Sequence, residues 1–178
     1  MNNAWYSVAY GSGKFVAVAA SGTNRAMYSN NGEIWIIAET PENNPWFSVT
    51  YGNEKFVAVA TSGTNKAMYS TNGITWTTTT PPENNPWYSV TYGDGKFVAV
   101  AVSDASNQAM YSSTDGQSWE IAETPPRNAW RSVAYGSGKF VAVSYDENDK
   151  SMYSTDGIEW TITTTGGNKY WSSVCAKS

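Results

Sequence analysis

The sequence predicts an all-β protein built from four similar four-stranded sheets. A phrase that opens with tryptophan recurs at intervals of 41, 41, 43 and 41 residues, and each copy contains four short strand-like runs separated by turn residues. No segment shows the 3.6-residue apolar period of a helix. A repeat of about 40–45 residues with four strands is typical of a β-propeller blade. The phrase begins at Trp5, Trp46, Trp87, Trp130 and Trp171.

The first two strands of each repeat are predicted to form a hairpin. Residues 5–10 form the first strand and residues 14–18 the second, with Gly11 and Gly13 in the turn between them. Glycine tolerates the positive φ that short hairpin turns require. The second strand is apolar on both faces, whereas an antiparallel sheet with one wet face alternates. Each sheet is therefore expected to be sandwiched between two neighbours.

The third and fourth strands complete the repeat. Residues 26–29 form the third strand, and a turn at Asn31-Gly32 leads to a polar fourth strand that carries Trp35. Polarity thus rises from the second strand to the fourth, as expected from the axis of a propeller to its rim. We interpret the nine tryptophans as wedges between blades. The predicted repeats are residues 5–45, 46–86, 87–129 and 130–170, followed by a closing strand at 171–177, all within one domain over 1–178.

One turn carries a family resemblance. The run Ser154-Thr155-Asp156-Gly157-Ile158-Glu159-Trp160 resembles the Asp-box of sialidase-type propellers, Ser-x-Asp-x-Gly-x-x-Trp, although Gly157 follows Asp156 directly. The whole repeat also resembles amplified propeller arrays of bacterial and phage proteins. The resemblance implies a propeller in which this turn is structural. Sialidases also need three converging arginines. The three arginines of this chain, Arg25, Arg127 and Arg131, occupy different positions of the repeat, so no catalytic site is predicted.

Composition excludes several further classes of function. The net charge is −4, which does not fit a phosphate-binding surface, so no nucleic-acid partner is expected. The chain has no histidine and one cysteine, so neither a metal nor a cofactor is predicted. No apolar run approaches the roughly 20 residues of a membrane span, and a secretory signal is not recognisable at the start. We therefore predict a non-enzymatic protein and leave its compartment open.

The candidate binding residues lie on one rim. Loops after the second and fourth strands share this rim and are rich in asparagine, whose amides suit sugar hydroxyls. Several weak sites could act together there, which predicts a lectin-like module. Variation between repeats is greatest on this rim and at one position of the first strand, filled by Tyr6, Phe47, Tyr88, Arg131 and Ser172. The candidate residues are Asn24, Arg25, Asn43, Asn44, Asn65, Lys66, Asn84, Asn85, Asn107, Gln108, Asn128 and Lys150.

The sequence leaves two matters open. The partner is a glycan in the lectin hypothesis and a protein in the alternative, a scaffold or structural component of a phage or cell-surface assembly. An engineered or reconstructed propeller would have no evolved ligand. The surplus strand near Trp171 either closes a four-blade ring within one chain or joins two chains as a homodimer with a larger ring.

Overall fold

The computed structural model describes residues 2–103, 107–113, 115–125, 128–145, 150–164 and 170–176. Every regular element in these residues is a β-strand, which confirms the all-β prediction. Consecutive strands pair antiparallel in groups of four, here called blades 1 to 4. Blades 3 and 4 are also joined by a short pairing of their second and first strands, Ser103 opposite Asn128. No helix able to cross a membrane occurs in the described ranges.

The sixteen strands have the following bounds. Blade 1 contains β1 (Ala4–Gly11), β2 (Lys14–Ser21), β3 (Ala26–Ser29) and β4 (Ile36–Ala38). Blade 2 contains β5 (Trp46–Gly52), β6 (Lys55–Ala60), β7 (Ala67–Ser70) and β8 (Thr77–Thr79). Blade 3 contains β9 (Trp87–Gly93), β10 (Lys96–Ser103), β11 (Ala109–Ser112) and β12 (Glu120–Ala122). Blade 4 contains β13 (Asn128–Gly136), β14 (Lys139–Ser144), β15 (Lys150–Ser154) and β16 (Thr161–Thr164).

The fourth strands begin later than predicted. Trp35 was expected within the fourth strand, but β4 starts at Ile36. The indole N–H of Trp35 donates to the carbonyl of Gly32 at 3.1 Å, so this tryptophan contacts the preceding turn. Trp119 and Trp160 donate in the same way to Gly116 and Gly157, at 3.1 and 3.3 Å.

The turn before each fourth strand is closed by a serine and an Asn or Asp. In blade 4, Asp156 Oδ1 accepts from the backbone N–H of Ile158 at 2.8 Å and of Glu159 at 3.1 Å. Ser154 Oγ donates to the same oxygen at 2.9 Å. In blade 1 the amide oxygen of Asn31 accepts two backbone N–H groups at 3.0 Å. Asp and Asn are therefore interchangeable in this turn.

Replacing Asp156 with asparagine is expected to remove a pH dependence without destabilising the turn. The Ile158 N–H, followed by that of Glu159 and the Ser154 hydroxyl, holds the pKa of Asp156 below its usual value, against an opposing effect of burial. The stabilisation is complete above the unfolded pKa near 3.9 and is lost as the pH falls through the lower folded value. Thermal unfolding of wild type and Asp156→Asn should therefore coincide at pH 7, with the variant relatively more stable near pH 2.5.

Asp156→Ala is the control for this comparison. It removes the acceptor altogether and should cost about 1–2 kcal/mol at pH 7. Equal pH dependence in wild type and Asp156→Asn would contradict the role assigned to the carboxylate.

The core lies between blades. Three buried clusters occur in the described residues, and each fills one joint, the contact between two consecutive blades. Trp46, Trp87 and Trp130 are 0% exposed and each lies in one cluster, as the wedge interpretation predicts. The clusters pair valines of a preceding blade with the tryptophan and methionine of the next: Val16 and Val18 with Trp46 and Met68, Val57 and Val59 with Trp87 and Met110, Val98 and Val100 with Trp130 and Met152.

The blades form an open arc. The first strands β1, β5, β9 and β13 lie side by side along its inner surface. No buried cluster in the described part of the chain connects blade 4 with blade 1. Residues 170–176 follow blade 4, where Trp171 N donates to Ser144 O at 3.2 Å and Val174 N donates to Ser132 Oγ at 3.1 Å. They occupy the place of a further first strand but form no strand of their own.

Candidate functional site

Several asparagines of the predicted rim fasten loops of the fold. Asn44 precedes the first strand of blade 2, and its Nδ2 donates to the Asn65 carbonyl at 2.7 Å. Asn85 makes the same bond to the Asn107 carbonyl in blade 3, also at 2.7 Å. Asn44 and Asn85 are each only 7% exposed. Their amide donors therefore hold the loop after the second strand of their own blade.

The position after these loops connects one blade to the next. Lys66 of blade 2 donates from Nζ to the carbonyls of Asn84 and Asn85, at 3.0 and 3.2 Å. Gln108, the equivalent residue of blade 3, donates to the carbonyl of Asn128 at 2.6 Å and accepts from its backbone N–H at 3.2 Å. Both side chains are buried. We call this position the bracket, because it ties the start of the following blade to the preceding one.

Lysine and glutamine differ in the hydrogen bonds that they form at the bracket position. Gln108 Oε1 also accepts from the indole N–H of Trp130 at 3.2 Å. Lysine has no acceptor, and the buried Nε1 of the equivalent Trp87 has no hydrogen-bond partner in the described residues. Burial also lowers the pKa of Lys66, because the ammonium loses water.

The remaining predicted site residues are distributed over all four blades. Arg25 donates to the carbonyls of Gly22 and Ala20 in its own loop, at 3.0 and 3.2 Å. Asn43 and Asn84 are exposed, but they belong to different joints. Asn24 and Lys150 are half-buried, and the Nδ2 groups of Asn65 and Asn107 donate to Glu42 and Glu83. A glycan site formed by these residues stays a prediction.

A different set of side chains converges at the inner surface of the arc. The residues directly after the tryptophans of three first strands pack in order, with Tyr6 and Phe47 edge-to-face at a centroid distance of 4.6 Å and Phe47 and Tyr88 stacked at 4.7 Å. Equivalent positions meet because neighbouring first strands run side by side. Arg131 continues the row on β13, and we call the row from Tyr6 to Arg131 the ladder.

Arg131 is held between aromatic rings. Its guanidinium carbon lies 4.5 Å from the ring centroid of Tyr88 and 4.6 Å from that of Tyr145. Such cation–π contacts fix the planar group while its N–H edges can still donate. Burial raises the pKa of Tyr88, and the charge of Arg131 acts in the opposite direction. The ion pair found among the described residues is Lys96 with Asp94, so Arg131 has no carboxylate partner in that part of the chain.

The ladder lines a concavity of about 370 Å³. Serine hydroxyls form its other wall, and these also connect the blades: Ser48 Oγ accepts from Val90 N at 3.1 Å and Ser89 Oγ from Val133 N at 3.2 Å. The described residues contain no cluster of three or more potential metal ligands. The residues lining the concavity are Tyr6, Ser7, Phe47, Ser48, Tyr88, Ser89, Arg131, Ser132, Ser172 and Ser173.

Solved structures with the same fold support the architecture. Comparisons with protein-family models and with curated protein sequences give no match. Virginiamycin B lyase from Staphylococcus aureus superposes with a TM-score of 0.80 at 14% identity, over 93% of this chain and 57% of that chain. YCF48 bound to D1 peptide gives 0.69 at 13% identity, over 94% and 55%. A chain of the nidogen/laminin complex gives 0.76 at 9% identity, over 98% and 69%.

These likenesses establish the architecture of the chain. The fold is that of a β-propeller. The chain spans just over half the length of the lyase and of YCF48, which agrees with the open arc of four blades. At 9–14% identity the likeness concerns the fold alone.

Proposed function

We propose that the chain is a non-catalytic recognition module that binds a protein partner at the ladder, with Arg131 receiving a carboxylate of an extended peptide. The observation that carries this proposal is the guanidinium of Arg131, held between Tyr88 and Tyr145 with no carboxylate partner in the described residues. Arginine binds carboxylates through paired N–H donors. Because stacking already restricts the side chain, binding costs little additional conformational entropy.

The shape of the concavity fits a few residues of peptide. Its volume of about 370 Å³ is at the lower end of the roughly 300–1,000 Å³ of small-ligand sites. Tyr6 is 56% exposed and offers a ring surface for an apolar side chain next to the bound carboxylate. The carboxylate at a peptide C-terminus or on an acidic side chain would supply the charge.

The comparisons support a protein partner more than a sugar. YCF48 was solved with a peptide, and the nidogen/laminin structure is a complex of proteins. The glycan hypothesis depends on rim amides, and those of Asn44 and Asn85 already donate within the chain. Protein recognition is therefore the function that the geometry favours.

The lyase likeness does not favour an enzyme. One related structure is a catalytically inactive virginiamycin B lyase in which a histidine is replaced by alanine. This chain contains no histidine. The absence of catalysis is part of the proposal, and incubation with quinupristin should leave that compound unchanged.

Replacing Arg131 with tyrosine is expected to weaken the binding of peptides with a free C-terminal carboxylate. Tyrosine occupies this position in blades 1 and 3, so the stack is retained while the charge is removed. An immobilised hexapeptide library, prepared as free acids and as C-terminal amides, would be probed with labelled protein. Affinity for selected free-acid or acidic peptides should fall at least about tenfold, the effect of losing one charged hydrogen bond.

Arg25→Gln is the matched control, because Arg25 donates to carbonyls of its own loop. Its peptide binding should equal that of wild type. Equal loss in Arg25→Gln and Arg131→Tyr would contradict the ladder site. Binding to a glycan array, with no peptide bound, would replace this proposal with the lectin hypothesis.

A further inference from the structure

The two ends of the arc present faces that are buried at every internal joint. Val8 is 59% exposed on blade 1, whereas the equivalent Val49, Val90 and Val133 are 5%, 5% and 6% exposed. Trp5 is 37% exposed, and its counterparts in the next three blades are completely buried. Blade 1 thus has the face with which blades 2 to 4 each pack against a preceding blade, and none of the described blades covers it.

A concavity of about 300 Å³ on blade 1 marks this uncovered face. It is mainly apolar, and its lining comes from the positions that form the following-blade side of each joint. The lining residues are Trp5, Tyr6, Ser7, Val8, Ala17, Met27 and Trp35.

A tyrosine and a glycine meet at each internal joint. A Cβ added to Gly11, Gly52 or Gly93 would lie 2.0 Å from the ring carbon Cγ of Tyr51, Tyr92 or Tyr135 of the next blade. Among the described residues, the two ends of the arc hold unmatched halves of this contact. Tyr10 of blade 1 is 61% exposed, and Gly136 of blade 4 is half-buried where its three counterparts are buried.

A valine and a glycine form a second repeated contact. Added Cβ atoms on Gly73, Gly116 and Gly157 would lie 2.5–2.8 Å from Val16, Val57 and Val98 of the preceding blade. At one end, a Cβ added to Gly32 of blade 1 would have Phe15 of its own blade as its nearest side chain, at 3.6 Å. At the other end, Val141 of blade 4 is half-buried. The unmatched glycine is therefore on blade 1 and the unmatched valine on blade 4.

We propose that a second copy of this chain packs its blade 1 against blade 4, and that two such joints related by a twofold axis close an eight-blade ring. The partner is a second copy because it supplies both missing halves, Tyr10 for Gly136 and Gly32 for Val141. The new joint continues the three joints within the chain.

The terminal segment 171–176 is displaced when the second copy docks. Val174 occupies the hydrogen bond to Ser132 Oγ that Val8 of the second copy would make. The segment packs less well against blade 4 than a first strand would. Ala176 takes the position at which the first strands of blades 1 to 4 have tyrosine. Among its described residues, the segment thus has no ring that could cover Gly136 as the other three glycines are covered.

Sedimentation and light scattering of the 178-residue chain test the proposal over a range of concentrations. The expected mass is twice 19.4 kDa. Val8→Asp should weaken association at least about a hundredfold, because a carboxylate would be buried at the joint without a partner. The control Ile34→Asp replaces an apolar residue that is 69% exposed on the same blade, and it should associate like wild type.

A second variant tests the displacement. Val174→Pro removes the N–H that bonds to Ser132 and should strengthen association about fivefold, the effect of one hydrogen bond. Unchanged association in this variant would overturn the displacement of the segment. A single-chain mass at every concentration, open polymers, or an unaffected dimer in Val8→Asp would overturn the ring.

Discussion

Gly52→Ala is expected to destabilise the chain by about 3 kcal/mol or more, at the upper end of overpacking effects. The added Cβ would lie 2.0 Å from Cγ of Tyr92, which belongs to the next blade. The Tyr92 ring cannot move aside easily, because it packs on Phe97 with centroids 4.8 Å apart and borders the second core cluster. Chemical denaturation followed by tryptophan fluorescence measures the loss.

Gly13→Ala separates steric overlap from backbone strain. Gly13 has a φ of 72°, but nothing lies within 4 Å of an added Cβ. Its cost should be about 1–2 kcal/mol, the penalty of a left-handed conformation. The equivalent turn of blade 2 accepts Asn53 and Glu54 at φ values of 44° and 60°.

A double variant identifies the source of the Gly52 effect. Tyr92→Ala should be destabilising alone, yet Gly52→Ala with Tyr92→Ala should cost clearly less than the two changes added together. If Gly52→Ala proved no worse than Gly13→Ala, or if the two costs were additive, the contact with Tyr92 would not govern the joint.

Exchanging the two bracket residues is expected to have opposite effects on stability. Gln108→Lys should cost about 3–5 kcal/mol, because it buries a charge and removes the acceptor for Asn128 N and Trp130 Nε1. Lys66→Gln should stabilise by about 1–2 kcal/mol, because it removes a desolvated ammonium and can supply an acceptor for Trp87 Nε1. Unfolding curves at pH 7 measure both.

The pH dependence distinguishes the charge from the hydrogen bond. The pKa of Lys66 is lower in the folded chain than its usual 10.5, so the unfolded chain binds more protons between the two values. Wild type should therefore gain stability relative to Lys66→Gln as the pH rises toward 10.5. If the difference in free energy of unfolding between wild type and Lys66→Gln stayed constant from pH 7 to 10.5, the gain would come from the hydrogen bond alone. Destabilisation in Lys66→Gln would contradict the proposed role of the bracket.

Local patterns in the sequence predict most of the fold. The hairpins can be located from second strands that are apolar on both faces and from the Gly-containing turns before them. Both features are formed by residues close together in the sequence. The start of the fourth strand is not predictable in this way, because Trp35 belongs to the preceding turn, where its indole donates to Gly32. The repeat period predicts which residues pack between the blades, because a tryptophan at the same position of each repeat can fill the same place in each joint.

The candidate site is less predictable, because it depends on contacts between distant residues. Asn44 and Lys66 have the chemistry of ligand-binding residues, but carbonyls 21 and 18 residues away along the chain take up their donors. The sequence does show the ladder as a variable position, directly after the first tryptophan of each repeat. Its packing follows from the contact of adjacent first strands, and Tyr145 lies beside Arg131 because it follows β14, which pairs with β13.

Joints made of the same tyrosine, glycine and valine contacts have an evolutionary consequence. Recombination between near-identical gene segments can add or delete one repeat, and every contact in the product is one that the parent already makes. The size of such a propeller can thus change in a single genetic event, while the residue at each rung of the ladder is left to diverge independently.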